Sequence, residues 1–268
     1  MESTRAYFGW FSALLVASLV SACGGDDRGA AGGDPTGGSG AAGSTGAGSG
    51  TTGATGGGPP DSCAPNPDLR TGEATYYDFA DGSGNCSFDP SPDDLMIGAM
   101  NHEDYAGSDA CGACVRLAGP NGEITVRIVD QCPECPAGDI DLSPEAFSQI
   151  AELSAGRVPI SWSYVACDVQ GPVVYHFKDG SNAFWTAVQI RNHRYPIATV
   201  EIEKDGAFQA VARESYNYFV DASGMGPGPY RFRLTDTGGN TIEDTGIPLV
   251  PEQDAPGQAQ FPPCDGGP

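Results

Sequence analysis

Hydrophobic and polar residues alternate with a period of two through much of the C-terminal half of the chain, and turn-forming residues interrupt the alternation at short intervals. Residues 197–203 and 207–211 flank Lys204-Asp205-Gly206, and residues 230–234 and 241–244 flank Asp236-Thr237-Gly238-Gly239-Asn240. Successive side chains of a strand point to opposite faces, so each pair reads as a hairpin with one face on a core. Several strands at this spacing predict a β-sandwich from residue 173 onward. Between residues 63 and 168 the β-type runs are shorter and are broken by Gly, Pro and Asp. They include Gly72-Glu73-Ala74-Thr75-Tyr76-Tyr77, Cys114-Val115-Arg116-Leu117, Ile124-Thr125-Val126-Arg127-Ile128-Val129 and Ile160-Ser161-Trp162-Ser163-Tyr164-Val165. Only residues 143–153 have a helical pattern: Ser143 as N-cap, Pro144 in the first position, Glu145 in the first turn, and Phe147, Ile150 and Leu153 on one face. Many strands with one helix predict a small β-barrel. Val169-Gln170-Gly171-Pro172 reads as a hinge, and the Pro/Gln/Gly-rich residues 252–268 as an irregular tail. The chain is therefore mainly β, with folded domains over residues 63–168 and 169–251.

The N-terminal quarter has neither period. Arg5 precedes an apolar stretch over residues 6–20, too short for a comfortable membrane span, which predicts an export signal over residues 1–22. The signal ends in Leu19-Val20-Ser21-Ala22-Cys23, which resembles a bacterial lipobox, and that resemblance implies acylation at Cys23. Residues 23–62 are dominated by Gly, Ala, Ser and Thr and cannot bury enough apolar surface to offset the entropy of ordering. They are expected to form a disordered tether. The expectation is an exported protein, lipid-anchored to the outer cell envelope or released outside the cell, that meets the membrane only through its anchor.

Setting Cys23 aside leaves Cys63, Cys86, Cys111, Cys114, Cys132, Cys135, Cys167 and Cys264. An even number in an exported chain reads as a disulfide framework. The spacing of Cys111-x-x-Cys114 and Cys132-x-x-Cys135 also suits zinc, but an oxidising compartment favours disulfides, and no metal is expected. Net charge is −22 and is unevenly distributed. Residues 63–168 carry 18 acidic and 4 basic side chains, whereas residues 169–251 carry 9 and 7. So acidic a surface repels nucleic acid, anionic lipid and anionic polysaccharide, and leaves uncharged glucans open as partners. It also keeps an exported domain soluble.

The segment Val129-Asp130-Gln131-Cys132-Pro133-Glu134-Cys135-Pro136-Ala137-Gly138-Asp139-Ile140-Asp141-Leu142-Ser143-Pro144 is the richest in candidate chemistry. With residues 72–77 and Cys111-Gly112-Ala113-Cys114, it resembles the double-psi β-barrel of expansins, a barrel also found in barwin-like proteins and family-45 endoglucanases. The run Phe184-Trp185-Thr186-Ala187-Val188-Gln189-Ile190-Arg191-Asn192-His193-Arg194-Tyr195-Pro196 resembles the opening of the second expansin domain. The resemblance implies a six-stranded double-psi β-barrel followed by an immunoglobulin-like β-sandwich. It also implies a wall-loosening activity on cellulose that breaks no covalent bond, with no cofactor.

By the same resemblance, Thr75, Tyr77, Asp130 and Asp141 line a polar groove, with Asp141 matching the general acid of related hydrolases. A carboxyl beside another carboxylate can have a raised pKa and offer a proton or hydrogen bond to a glycosidic oxygen. An acid two residues before a helix N-cap also suits the helix dipole, which accounts for Asp141 but not for the motif around it. Inverting hydrolysis needs a second carboxylate as base. Asp78, where many relatives have Gly, is the candidate, although the related endoglucanases carry their base one place further on, at Phe79 here. Cys132 stands where many bacterial expansins have a groove tyrosine. Cysteine-rich relatives imply Cys86–Cys111, Cys114–Cys167 and Cys132–Cys135, which leaves Cys63 and Cys264 to pair with each other.

In the second domain the resemblance implies an aromatic platform of Phe184, Trp185 and Tyr216, with Lys178 beside Tyr216. Flat rings match the apolar face of a cellulose chain at little entropic cost. Adjacent strand residues face opposite ways, so Phe184 and Trp185 can share a platform only at a bulge or strand end. Burial in the sandwich core is the competing role for both rings. Arg191, His193 and Arg194 are expected to be structural or interdomain. The partner expected is cellulose or a related neutral β-glucan, bound by a monomer. Three activities stand in order: non-hydrolytic loosening; an inverting endoglucanase or peptidoglycan lytic enzyme on the same barrel; and passive carbohydrate binding.

Overall fold

A computed structural model describes residues 68–263 apart from Phe79. The signal, the tether, Cys23, Cys63 and Cys264 lie outside the described residues. Six strands close into a barrel: β1 (Arg70–Tyr76), β2 (Ile97–Asn101), β3 (Cys114–Gly119), β4 (Gly122–Cys132), β5 (Ile140–Leu142) and β6 (Val158–Val165), in the order β1-β5-β2-β4-β3-β6. Its interior is filled by Ile97, Met100, Leu117, Ile128, Ile140, Leu142, Phe147 and Trp162, all fully buried. The Trp162 indole donates to Gly138 O at 2.7 Å, so this large ring is buried with its polar atom satisfied.

The segment read as a helix over residues 143–153 is shorter than expected. Ser143 caps it, its Oγ accepting from Ala146 N at 3.0 Å, but α2 runs only over Pro144–Ile150. Ala151 is extended, and Leu153 lies in a separate single-turn helix with 40 % of its surface exposed, so the apolar face ends at Ile150. A second short helix, α1 (His102–Tyr105), is too brief to show a period; Asn101 caps it, accepting from Asp104 N at 3.0 Å.

Beyond the barrel, two sheets pack face to face. One is ordered β10-β9-β13-β14: β9 (Ile197–Lys204), β10 (Ala207–Ala210), β13 (Tyr230–Asp236) and β14 (Thr241–Ile247). The other is ordered β11-β12-β8-β7-β15: β7 (Val174–Phe177), β8 (Thr186–Arg191), β11 (Ala212–Arg213), β12 (Phe219–Asp221) and β15 (Asp254–Pro256). Tyr175 of one sheet stacks on Phe232 of the other at 4.9 Å, inside a core with Val188, Ile190, Val200, Leu234 and Phe261. Both predicted hairpins are present, β9–β10 and β13–β14.

The tail departs from expectation. Residues 254–256 form β15 against β7, and Phe261 is fully buried in the sandwich core. The buried Asp244 holds this stretch by accepting from Gln258 N at 2.6 Å, Ala259 N at 3.1 Å and Tyr175 Oη at 3.0 Å. The second domain therefore extends past residue 251. Its tail lacks a hydrophobic period because a carboxylate and one aromatic ring, rather than an alternating face, fix it in place.

Candidate functional site

Ladder pairing brings four positions of the barrel into one row. Thr75 of β1 lies opposite Asp141 of β5, Ala99 of β2 lies opposite Asp141, and the same Ala99 lies opposite Asp130 of β4. Paired residues share a face, so Thr75, Asp141, Ala99 and Asp130 span three strand spacings, roughly 14 Å. Asp130 joins the row because the β2–β4 register shifts between Gly98 and Ala99, stepping over Val129. A bulge of this kind leaves no mark on the alternation of β4.

Asp141 is half-buried and accepts from Thr75 Oγ1 at 2.5 Å. Burial pushes its carboxyl pKa up, the Thr75 bond opposes the rise, and the charges of Glu134 and Asp130 add to it while Arg157 opposes it. Asp130 uses one oxygen, Oδ1, to accept from Asn85 N at 2.6 Å and Gln131 N at 2.8 Å. Gly84 packs so closely on it that a Cβ there would sit 2.5 Å from Asp130 Cβ. Tyr77, Ala99, Asp130 and Asp141 share a cleft of about 210 Å³ with the end of β4, Gln131 and Cys132, and the loop residues Pro133 and Glu134. The Tyr77 hydroxyl is buried with no hydrogen-bond partner among the described residues, and burial first, then the charges of Asp130 and Asp141, raise its pKa. It stays protonated, with a donor to give.

The two positions that the resemblance singled out, Cys132 and Asp78, take different places. Cys132 is disulfide-bonded to Cys135 and lines the cleft, so the bond that occupies it also fixes the loop carrying Glu134. Asp78 stands exposed in the turn after β1 and is not part of the cleft lining. The other C-x-x-C spacing is divided between two disulfides, Cys86–Cys111 and Cys114–Cys167. The three bonds are the pairs implied by the cysteine-rich relatives.

Phe184 and Trp185 do not head the strand itself. They occupy a tight turn before β8, closed by reciprocal bonds between Asn182 and Trp185, Asn182 N to Trp185 O at 2.7 Å and Trp185 N to Asn182 O at 3.3 Å. Neither ring belongs to the core: Phe184 is 81 % exposed and Trp185 is half-buried. Gly224 supports the turn from behind at φ +80°, where a Cβ would sit 2.2 Å from Ala183 O and 2.4 Å from Phe184 Cα. Tyr216 is half-buried, its ring 5.9 Å from that of Tyr218. Lys178 lies 5.3 Å over Tyr218, so the cation expected beside Tyr216 sits one ring further in. β8 and β12 run antiparallel, which puts the Phe184–Trp185 turn and Tyr216 toward opposite ends of the pair, roughly 10–15 Å apart along the strands.

β8 is buried on both faces, because the barrel covers the outer one. Gln189, fully buried, donates to Cys86 O at 2.9 Å and Ser87 O at 3.2 Å, and Asn217 donates to Cys86 O at 3.2 Å. Ser108 Oγ donates to Glu214 O at 2.9 Å, and Arg213 donates to Ser108 O at 2.7 Å. Arg191 pairs with Asp89 at 2.8 Å. His193 is packed on Gly112, where φ is +75° and a Cβ would sit 2.6 Å from the ring. Burial pushes its pKa down to about 4, with the nearby Arg213 and Arg127 charges adding to the fall and its bond to Tyr195 O opposing it. Arg194 O accepts from Cys167 N at 2.9 Å, so all three residues of the basic run serve the junction. Two larger cavities, about 320 and 270 Å³, also lie at this junction.

Sequence reasoning passed over Gln189, Asn217, Asn85, Tyr105, Tyr218 and Glu134. Each is a polar or aromatic residue inside an ordinary strand or loop pattern, and only the contact across the domains or across the cleft distinguishes it.

Comparison with known proteins bears on both halves. Residues 70–162 match a family model described as lytic transglycolase. Expansin-YoaJ of Bacillus subtilis is 38 % identical over 213 residues, covering 76 % of this chain and 91 % of that protein. The chain belongs to the expansin family. Expansin-like protein 1 of Dictyostelium discoideum is 30 % identical over 204 residues, covering 71 % of each chain. A mutant Clavibacter michiganensis expansin, crystallised in complex with cellohexaose, is similar in structure with a TM-score of 0.69 at 32 % identity, covering 73 % of this chain and 99 % of that one. The expansin architecture, a six-stranded barrel followed by a β-sheet domain, is therefore the frame for the cleft and the aromatic turn.

Proposed function

We propose that this expansin binds cellulose or a related neutral β-glucan and loosens it without hydrolysis. The groove of Thr75, Tyr77, Asp130 and Asp141 grips one glucan, while Phe184, Trp185 and Tyr216 hold the surface it came from. One observation carries the reading: Asp141 and Asp130 stand in a single row on one barrel face, and Asp78 stands outside the cleft. Inversion requires acid and base on opposite faces of the sugar ring. Two carboxylates on one floor meet the same face, which suits holding a chain and polarising its oxygens. Acylation at Cys23, with residues 23–62 as tether, would keep this monomer at the cell surface.

The match to a model described as lytic transglycolase favours a second reading, cleavage of peptidoglycan. A lone raised acid such as Asp141 suffices there if the substrate supplies its own nucleophile. Creep of a clamped cellulose-rich wall under load, with release of reducing sugars and anhydro-sugar ends assayed on the same sample and on peptidoglycan, separates the two. Creep without either product is expected. Creep that tracks product release overturns the non-hydrolytic reading, and anhydro-sugar ends from peptidoglycan establish the second.

A further inference from the structure

Arg127 of β4 is half-buried and stands apart from most arginines of this acidic chain. Among the described residues, every arginine except Arg127 and Arg194 has a carboxylate oxygen within 4.0 Å. The Arg127 guanidinium lies over the Phe88 ring, 5.0 Å from its centroid, and its Nε is buried with no hydrogen-bond partner among the described residues. Burying a charged donor without an acceptor is costly, so an unpaired guanidinium in a chain of net charge −22 requires an explanation.

Arg127 lines the cavity of about 270 Å³ where barrel, hinge and sandwich meet. Phe88 and Val169 give that lining an apolar part, and Asp94 and Asp168, both exposed, give it an anionic one. His193 adds an acceptor. Its ring is buried and neutral, and Nδ1 donates to Tyr195 O at 2.8 Å, which leaves the lone pair of Nε2. The volume falls below the roughly 300–1,000 Å³ of sites for drug-sized ligands and suits a smaller molecule. None of these residues lines the cleft around Asp130 and Asp141.

We infer that this cavity binds an α-amino acid with an apolar side chain. The carboxylate of such a ligand meets Arg127, whose planar guanidinium matches it. Its ammonium meets Asp94, Asp168 and the acceptor of His193, and its side chain lies on Phe88 and Val169. Simpler ligands fail on charge. A plain anion would satisfy Arg127 but face two carboxylates, a plain cation would face the guanidinium, and a neutral sugar offers neither charge. The inference is independent of the glucan reading above. Because both domains and the hinge contribute to the lining, occupancy ties the junction together and stabilises the fold by mass action.

The test is calorimetric titration of the full chain with L-leucine, with melting temperature followed on the same samples. Two analogues each lack one charge: isocaproate has no ammonium, and isoamylamine has no carboxylate. We expect saturable binding of leucine at millimolar concentration and a rise in melting temperature, with each analogue about tenfold weaker, the size of one lost charge-assisted contact. Arg127→Gln should weaken leucine binding by about tenfold as well. Should that variant fail to fold, Asp94→Asn combined with Asp168→Asn, at two exposed positions, carries the test. It should weaken leucine by about fivefold and strengthen isocaproate. Absence of both heat and melting shift with leucine overturns the inference. Isocaproate binding as tightly as leucine does so too, since it would mark an anion site. Leucine binding that survives in every variant that folds also overturns it, since the ligand would then sit elsewhere.

Discussion

The barrel and the sandwich place their proposed functional groups by different means. In the barrel, Thr75, Asp141 and Asp130 lie on paired strands, and the ladder register with its one bulge fixes them relative to one another. In the sandwich, Phe184, Trp185 and Tyr216 lie on turns and strand ends, supported by local bonds and by Gly224. Charge follows the same division, with 18 acidic against 4 basic residues over 63–168 but 9 against 7 over 169–251. Hydrogen bonds to a sugar depend steeply on direction and need groups held to a fraction of an ångström. Stacking on a flat apolar face tolerates small shifts and needs exposed ring area.

If that division holds, the two halves can be disabled separately. The largest effect is expected from Asp141→Asn, which should bring wall creep down to background while leaving the cellulose adsorption isotherm within about twofold, since the platform is intact. A parallel fall in adsorption would break the comparison. Trp185→Ala should weaken adsorption about tenfold, the size of one aromatic stack, with Phe184→Ala smaller and Phe184→Trp a gain. Short-oligosaccharide affinity measured by titration should not follow. Replacing both Cys132 and Cys135 by serine should weaken groove binding by about threefold, because the loop carrying Glu134 loses its clamp and stays otherwise hydrogen-bonded.

Acidification sharpens the comparison because it acts oppositely on groove and junction. Asp141 has a raised pKa, so its charged form is disfavoured by folding; protonation on lowering the pH relieves that cost and supplies a donor, and creep should rise. His193 has a pKa depressed to about 4, below the ordinary value of 6.5, so its neutral form is the folded one. Its contribution is fully present above pH 6.5 and is lost as pH falls toward 4, where the unfolded chain takes up the proton more readily. Melting temperature should therefore drop across that window, by roughly 10 °C, and His193→Gln should flatten the drop. Creep against pH becomes a rise cut off by the loss of the junction.

The strands were legible because each half-buried strand writes its face into the sequence, and the proposed groove residues were candidates because they sit in a motif that resembles the expansins. The bulge that aligns Asp130 with Ala99 was not, since stepping over Val129 swaps one apolar residue for another. The outer face of β8 went unread for the same kind of reason. Gln189 looks like a solvated position in an alternating strand and is instead buried against Cys86 O and Ser87 O. Residues 252–263 hid their order because a single buried carboxylate, Asp244, organises them from a distance. Asn85, in Gly82-Ser83-Gly84-Asn85, follows no period and gains meaning only from what folds against it.

The disulfide between Cys114 and Cys167 has a mechanical consequence. Cys167 begins the segment that leads into β7, and its partner belongs to β3, the barrel neighbour of β6. Tension arriving from a sandwich fastened to a wall would enter the barrel through two adjacent strands at once, β6 by the main chain and β3 by the sulfur bridge. A pull that would otherwise peel one strand from the barrel edge-first is shared as shear along a pair. On the function proposed above, a molecule gripping one polymer while another drags on it would be protected at the point where the two loads meet.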